Sequence, residues 1–268
     1  MKSLKVLWVF AHPERRSLNG SLMDEGLREL DRLGHQSRVS DLYGMGWKPV
    51  VDADDFRRAA ESGDRLMVGA EQERAYASGR LSDDILAEQE KAAWADVLVF
   101  HFPMWWFGPP AILKGWFDRV FVQGFAFGVE DERGRTLRYG AGGLAGRRAL
   151  VVTSVGARQS SFGPRGVHGH VDDVLFPLLH GTFWYTGMAA LPPLVAYGAD
   201  RAGTAEQRAY ADRLRQRLRT LGTAEPLPYR HELGGDYDED LVLRPHVAPG
   251  RTGLAAHLRP GPAPAGGC

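Results

Sequence analysis

Three stretches of this chain carry side chains whose types and spacing could do chemistry. The first, Ala11-His12-Pro13-Glu14-Arg15-Arg16-Ser17-Leu18-Asn19, follows an apolar run and precedes a leucine-periodic segment. A loop that ends on a helix N-terminus offers free backbone N–H groups and the positive end of the helix dipole, and both attract phosphate. His12, Arg16, Ser17 and Asn19 add side-chain donors, although a blander reading makes Ser17 or Asn19 only the helix cap. The loop contains neither GxGxxG nor GxxxxGKS, which argues against a dinucleotide-type Rossmann site and a P-loop NTPase.

The second stretch is Pro103-Met104-Trp105-Trp106-Phe107-Gly108. Ten of the chain's 27 aromatic residues fall between Phe100 and Phe127, and three adjacent aromatics cannot all face one core. A planar ring system stacked on Trp or Phe, with its edge bonded by backbone groups, would use both the rings and the main chain. The alternative is an interface or core cluster. Beside a phosphate-type loop, the aromatic stretch points to a flavin.

The third stretch runs from Thr153 to Gly169 and is rich in small residues that let backbone approach a cofactor's pyrimidine edge. His168, between Val167 and Gly169, is a candidate proton donor near neutral pH. A solvated surface histidine is the competing reading.

Strands must hold these loops. Leu4–Phe10 reads as a strand buried on both faces of a parallel sheet, and Leu18, Leu22, Leu27, Leu30 and Leu33 then recur at helical spacing up to Gly34. His35–Leu42 reads as a second strand, completing a βαβ unit and hence an α/β fold. Asp96–Phe102, Arg148–Thr153 and Ala190–Tyr197 read as further strands. Helices are expected from Pro109 to about Val122 and over Thr204–Leu221, the latter burying Tyr210, Leu214, Leu218 and Leu221. Between Tyr43 and Ala95 strand-like runs are lacking. That region reads as an insertion of short helices, one starting at Ser82 with Ile85, Leu86, Gln89 and Ala93 on one face. Ligands of open α/β sheets bind beyond the carboxyl ends of the strands, and all three loops follow strand ends. From Gly222 the periodicity stops. Pro245–Cys268, with five Pro and five Gly in 24 residues, is expected to be flexible and to build no core of its own.

The 268 residues, 44% apolar and 25% charged, describe an ordinary globular protein long enough for one large domain plus an appendage. Lys+Arg and Asp+Glu balance at 33 each, which argues against nucleic acid as a partner. The single cysteine, Cys268, rules out an internal disulfide framework and a cysteine-ligated metal site, so no metal is expected and a reducing cytoplasm fits. The apolar run Val6–Ala11 is short for a secretory signal. Phe102–Leu113 is broken by Gly108, Pro109 and Pro110, so no membrane insertion is expected.

The segments AHPERRSLNG, DLYGMGWKPVV, FPMWWFGPPAILKGWFDRVF and GVHG resemble the flavodoxin-like NAD(P)H:quinone oxidoreductase family over about residues 4–221. The tail from about 222 resembles the C-terminal extension of its long, FAD-binding members. The resemblance implies a flavodoxin-like doubly wound parallel sheet of five strands in the order 2-1-3-4-5, in a domain 1–221 with the helical insertion 43–95, followed by an extension 222–268. It implies a homodimer with non-covalent FAD, or alternatively FMN, at the subunit interface. NAD(P)H would be the donor, and a quinone or similar flat, electron-poor molecule the acceptor of hydride in a ping-pong cycle. By matching positions, His12, Leu18 and Asn19, with Ser17 beside them, would line the adenine and phosphate portion. Pro103, Met104, Trp105, Trp106 and Phe107 would pack along the flavin, and Thr153, Ser154, Val155 and Gly156 would bond its pyrimidine end. Arg208 resembles a phosphate-contacting position, while Phe127 and Val129 fall over the substrate pocket.

Two departures stand out. Mammalian-type members have Tyr six residues before the catalytic His, where this chain has Phe162, which can stack but cannot donate a proton. His168 would then act alone or through water on the negative charge that appears at the flavin after hydride uptake. Arg158 and Arg165 stand in a loop usually made of Gly and Ser, and one of them is expected to supply charge stabilisation or to bind an NADPH 2′-phosphate. The competing functions are a flavodoxin-type electron carrier and a dimeric regulator that uses flavin as a sensor without turnover.

Overall fold

The computed structural model describes residues 3–57 and 65–260. The strands are β1 (Lys5–Phe10), β2 (Gln36–Asp41), β3 (Val97–Pro103), β4 (Arg148–Val155), β5 (Ala189–Ala190) and β6 (Leu194–Tyr197). They pair in parallel in the order β2-β1-β3-β4-β5, with β6 also on β4, which is the expected 2-1-3-4-5 arrangement. The expected single last strand, Ala190–Tyr197, is broken in two. Pro192 and Pro193 have no N–H to give the ladder, so β5 pairs with the start of β4 and β6 with its end.

Helices α1 (Leu18–Arg32), α2 (Val68–Ala77), α3 (Asp83–Trp94), α4 (Ala111–Val120), α5 (Val171–Val174), α6 (Phe176–Leu178) and α7 (Thr204–Arg219) connect or flank the strands. Trp8 and Phe10 of β1 pack with Leu22, Leu30, Leu214 and Leu218 in one apolar layer beneath α1 and α7. Leu7, Phe100 and Phe102 face the opposite layer with Leu113, Trp116 and Phe183. Phe100 and Phe183 stack there at 4.8 Å and 18°. Both faces are covered, which is why β1 and β3 are apolar at nearly every position. Each fully buried large side chain of this kind contributes about 1.5–3 kcal/mol.

The expected helix face at Ile85 is displaced: Ile85, Glu88, Gln89 and Ala92 are buried, and Ala93 is exposed. Sequence pattern misses this because Glu88 is buried by its partners, Lys91 at 2.6 Å and the Trp116 indole N–H at 2.8 Å. As the crossover from β2 to β3, α3 belongs to the basic winding of the sheet. The preceding segment is fastened by Arg119, whose guanidinium lies 2.9 Å from Asp55 and 2.6 Å from Asp84 and donates to the Lys48 carbonyl at 3.0 Å.

The extension returns to the body. Tyr229 bridges Leu258, Arg230 N–H donates to the His257 carbonyl at 3.0 Å, and Ala256 is buried. The stretch after Pro245, expected to be flexible, therefore carries a docked turn over Leu254–His257. It docks through backbone groups of 228–230, where the Pro228 carbonyl also accepts from the Arg259 N–H at 2.8 Å. Gly140 lets the extension approach: its φ is +103°, and a Cβ there would lie 2.5 Å from the His231 ring. Cys268 lies outside the described residues.

Candidate active site

All three loops of interest leave the carboxyl ends of parallel strands. The first leaves β1 and enters α1, where Ser17 is the N-cap and accepts from the Gly20 N–H. The first-turn N–H groups of Leu18 and Asn19 have no carbonyl four residues back within the helix, so they remain available to an anion. His12 Nδ1 lies 3.0 Å from both the backbone nitrogen and the carbonyl oxygen of Glu14. Burial lowers the His12 pKa, against the opposing influence of Glu14. Arg16 is drawn to Glu14 and is exposed.

Asn19 is not a surface donor. It is 4% exposed, and its amide donates to Ser154 Oγ at 2.8 Å while its oxygen faces His101 Nε2 at 3.1 Å. His101 carries no signal in the sequence because it sits inside the apolar run of β3. Desolvation in the core, with the nearby His12 and Arg15, pulls its pKa down to about 3.

The aromatic stretch forms a tight turn. Trp105 and Gly108 exchange backbone hydrogen bonds at 3.0 and 3.1 Å, and Trp106 and Phe107 both take positive φ, 50° and 62°. A type I′ turn ordinarily takes Asn or Gly at these two positions, because L side chains are strained there by about 1–3 kcal/mol each. Met104 is buried and fixed by its N–H to the Ser154 carbonyl, whereas Trp105, Trp106 and Phe107 are exposed, Trp106 at 97%.

At the end of β4, the Thr153 hydroxyl donates to the Phe102 carbonyl at 2.7 Å. Val155 and Gly156 follow at the strand's open end, and Arg201 reaches back to the Gly156 carbonyl at 2.8 Å. His168 lies between two rings, 5.3 Å from Phe107 and 4.9 Å from Phe162, which is itself buried against Tyr197. Among the described residues nothing hydrogen-bonds the His168 imidazole. The structure thus joins the second and third loops through Phe107 and His168, and the first and third through Asn19 and Ser154.

Other expected residues stand apart. Arg158 and Arg165 are exposed, and among the described residues neither makes an ion pair. Arg208 is exposed on α7 with no partner among them. Phe127 lines a separate cleft of about 460 Å3 with Phe117, Phe121 and Tyr185, and no residue of the three loops lines it. Val129 begins a short loop whose far side is held by the Leu137 N–H on its carbonyl. Tyr185 and Arg201 could not be picked out beforehand, since nothing near them in the chain marks them.

A doubly wound parallel sheet with an anion-receptive helix start and an aromatic turn at its carboxyl edge defines a flavodoxin-class α/β protein. The chain belongs to the flavodoxin-like fold family, whose pattern matches residues 4–218. It is 43% identical over 260 residues to a ribosyldihydronicotinamide dehydrogenase-like protein of Penicillium crustosum, covering 96% of each chain. It is 33% identical to the NAD(P)H dehydrogenase [quinone] 1 of Rattus norvegicus over 83% of this chain and 79% of that one. A crystal structure from Klebsiella pneumoniae, provisionally described as a quinone reductase, superposes with a TM-score of 0.92 at 46% identity, covering 96% of this chain and all of the other.

Proposed function

We propose that this protein is a flavin-dependent NAD(P)H:quinone oxidoreductase that holds FAD in the cleft of the three loops. The observation that carries the reading is the Trp105–Gly108 turn, which holds exposed aromatic rings in strained backbone beside His168. Such strain persists where the surroundings over-determine it, and it is common at ligand clamps. The relatives' names support the oxidoreductase class and the quinone acceptor.

The residues present fit a flavin. The α1 start and the His12 imidazole would hold its phosphates, Trp105, Trp106 and Phe107 would flank its rings, and Thr153–Gly156 would meet its pyrimidine edge. When bound, the flavin supplies the capacity to accept and pass on a hydride. The protein orients and stabilises. The exposed rings of Trp105, Trp106 and Phe107 would orient flat donor and acceptor molecules, and such positioning supplies much of the rate gain in transfers of this kind. His168, whose imidazole has no hydrogen-bond partner among the described residues, would donate a hydrogen bond or proton where negative charge develops. Phe162 fixes that imidazole by packing and supplies no proton of its own.

The isolated chain leaves two incomplete surfaces: the exposed turn, and the cleft of Phe127 and Tyr185. A homodimer that sets the second against the first in its partner would enclose an acceptor between aromatic walls and exclude water. Donor and acceptor would then occupy one pocket in turn, as a ping-pong cycle requires.

Mass spectrometry of flavin released from purified protein, with steady-state reduction of a simple benzoquinone by NADPH, NADH and dihydronicotinamide riboside, tests the proposal. FAD and parallel-line kinetics are expected. Protein that takes up no flavin, or takes it up without turnover, would favour the regulator or carrier instead.

A further inference from the structure

A cavity of about 270 Å3 lies where the extension meets the body, and the proposed reaction does not use it. One wall is Tyr139, Phe176 and His180; Glu232, Tyr237, Leu254 and His257 of the extension complete it. His180 sits on a π-helical turn, Leu179–Trp184, a geometry found mostly at functional sites. Its ring stacks on Phe176 at 4.5 Å and 17°, and Tyr139 lies 4.9 Å away on a residue of positive φ, 44°.

The polar atoms here are under-used. Among the described residues, no hydrogen bond reaches either ring nitrogen of His180. Glu232 is 10% exposed and accepts from Arg138 through Oε2 at 2.7 Å, leaving Oε1 without a partner among those residues. His257 Nδ1 meets the Tyr237 hydroxyl at 2.9 Å, and the two rings lie parallel at 10°. His180, Glu232 and His257 are half-buried residues that line the cavity, so their unused hydrogen-bonding capacity lies beside its apolar walls and is open to whatever enters it.

The charge pattern narrows the occupant. Glu232 is balanced by Arg138. Burial, with each histidine near a second basic group, lowers the pKa of His257 and brings that of His180 down to about 4, so both are neutral at pH 7. A cation would meet Arg138, and an anion would meet Glu232. The volume is slightly under the roughly 300–1,000 Å3 of pockets for drug-sized ligands.

We propose that this cavity is a second binding site, separate from the cleft of the three loops, for a small neutral phenol of one or two fused rings. The ring packs among Phe176, Leu254 and the tyrosines, and its hydroxyl donates to Glu232 Oε1 or a His180 nitrogen. Tyr139 touches Tyr185 edge-on at 5.2 Å and 87°, so a wall residue of this cavity rests on a wall residue of the cleft that holds Phe127.

The test is a titration of full-length, flavin-loaded protein, selectively labelled at histidine, with 4-methylphenol and with 4-methylanisole, which lacks the donor. Saturable shifts of His180 and His257 are expected with the phenol, and binding of the methyl ether about tenfold weaker. Leu254→Trp, which fills the cavity, is expected to abolish the His180 response while flavin content stays unchanged. Shifts confined to His12 and His168 would assign the phenol to the flavin cleft and overturn the proposal. Equal binding of the two probes would overturn it without reliance on any variant folding.

Discussion

His101 and Asn19 are joined inside the protein, Nε2 to Oδ1 at 3.1 Å, and the Asn19 amide passes the connection to Ser154 Oγ at 2.8 Å. Because Asn19 Oδ1 can only accept, the imidazole carries its proton on Nε2, and Nδ1 is left as a buried acceptor without a partner among the described residues. A single chain of hydrogen bonds thus ties β3, the start of α1 and the end of β4. The loop that would face phosphate and the loop that would face the pyrimidine edge are held in one register.

The buried imidazole makes stability depend on pH. An unfolded histidine takes up a proton near pH 6.5, whereas His101 in the native state does so only near 3. The unfolded chain therefore binds more protons between those values, and stability is full above about 6.5 and falls as pH drops below it. The loss from this residue reaches about 2 kcal/mol at pH 5. His180, held down to about 4, acts in the same direction. Urea unfolding at pH 7.5 and pH 5 should show the loss, and His101→Gln should make the dependence shallower. An unchanged slope in that variant would show that His101 titrates normally.

The aromatic turn should trade stability for binding. Replacing Trp106-Phe107 with Asn-Gly relieves two strained residues and is expected to raise the melting free energy of flavin-free protein by about 1–3 kcal/mol. Flavin affinity should fall at least about tenfold as two rings are lost. Thermal melts with and without added FAD check both signs. A turn variant that keeps its flavin would remove the turn from the site.

Much of this arrangement was legible in the residues. The double apolar faces of β1 and β3 and the leucine spacing of α1 gave the βαβ start directly, and Pro103–Phe107 announced the aromatic turn by crowding alone. What escaped depended on partners distant in sequence. Glu88 reads as a surface residue until Trp116 and Lys91 are beside it, and His101 reads as an interruption of a strand until Asn19 is opposite. Arg158 and Arg165 drew attention by residue type, but only the fold shows that they point away from any partner among the described residues.

Asp55→Asn should be among the most destabilising surface-distant changes. Asp55 and Arg119 are each 1% exposed, and the change removes the carboxylate that pairs with both Arg119 and Lys48 while Arg119 keeps Asp84, so the cost is expected to stay below the roughly 3–5 kcal/mol of a fully stranded buried charge. Replacing both with apolar residues should recover a large part of that. Chemical denaturation of the single and double variants measures the coupling directly.

His168→Ala is expected to lower quinone turnover by about 10²–10⁴-fold with flavin content unchanged. Phe162→Tyr should leave the fold intact and shift the pH profile of turnover, since a phenol joins the imidazole. Single-turnover absorbance at the flavin band separates these effects from binding. Turnover in His168→Ala equal to the parent would assign the proton to water.

Arg158→Ala and Arg165→Ala probe donor choice. If either guanidinium meets the NADPH 2′-phosphate, its loss should lower kcat/KM for NADPH by about tenfold or more and leave NADH unchanged. Unchanged ratios in both variants would free the loop of that role.

The break at Pro192–Pro193 reaches beyond the local ladder. β5 and β6 form an outer border of the sheet, and two adjacent residues there have no N–H to offer. A border so interrupted is a poor template for a passing strand, which lowers the hazard of fibre-like growth along that side. Self-association through main-chain ladders is closed off at that border, and any assembly there must be decided by side-chain fit.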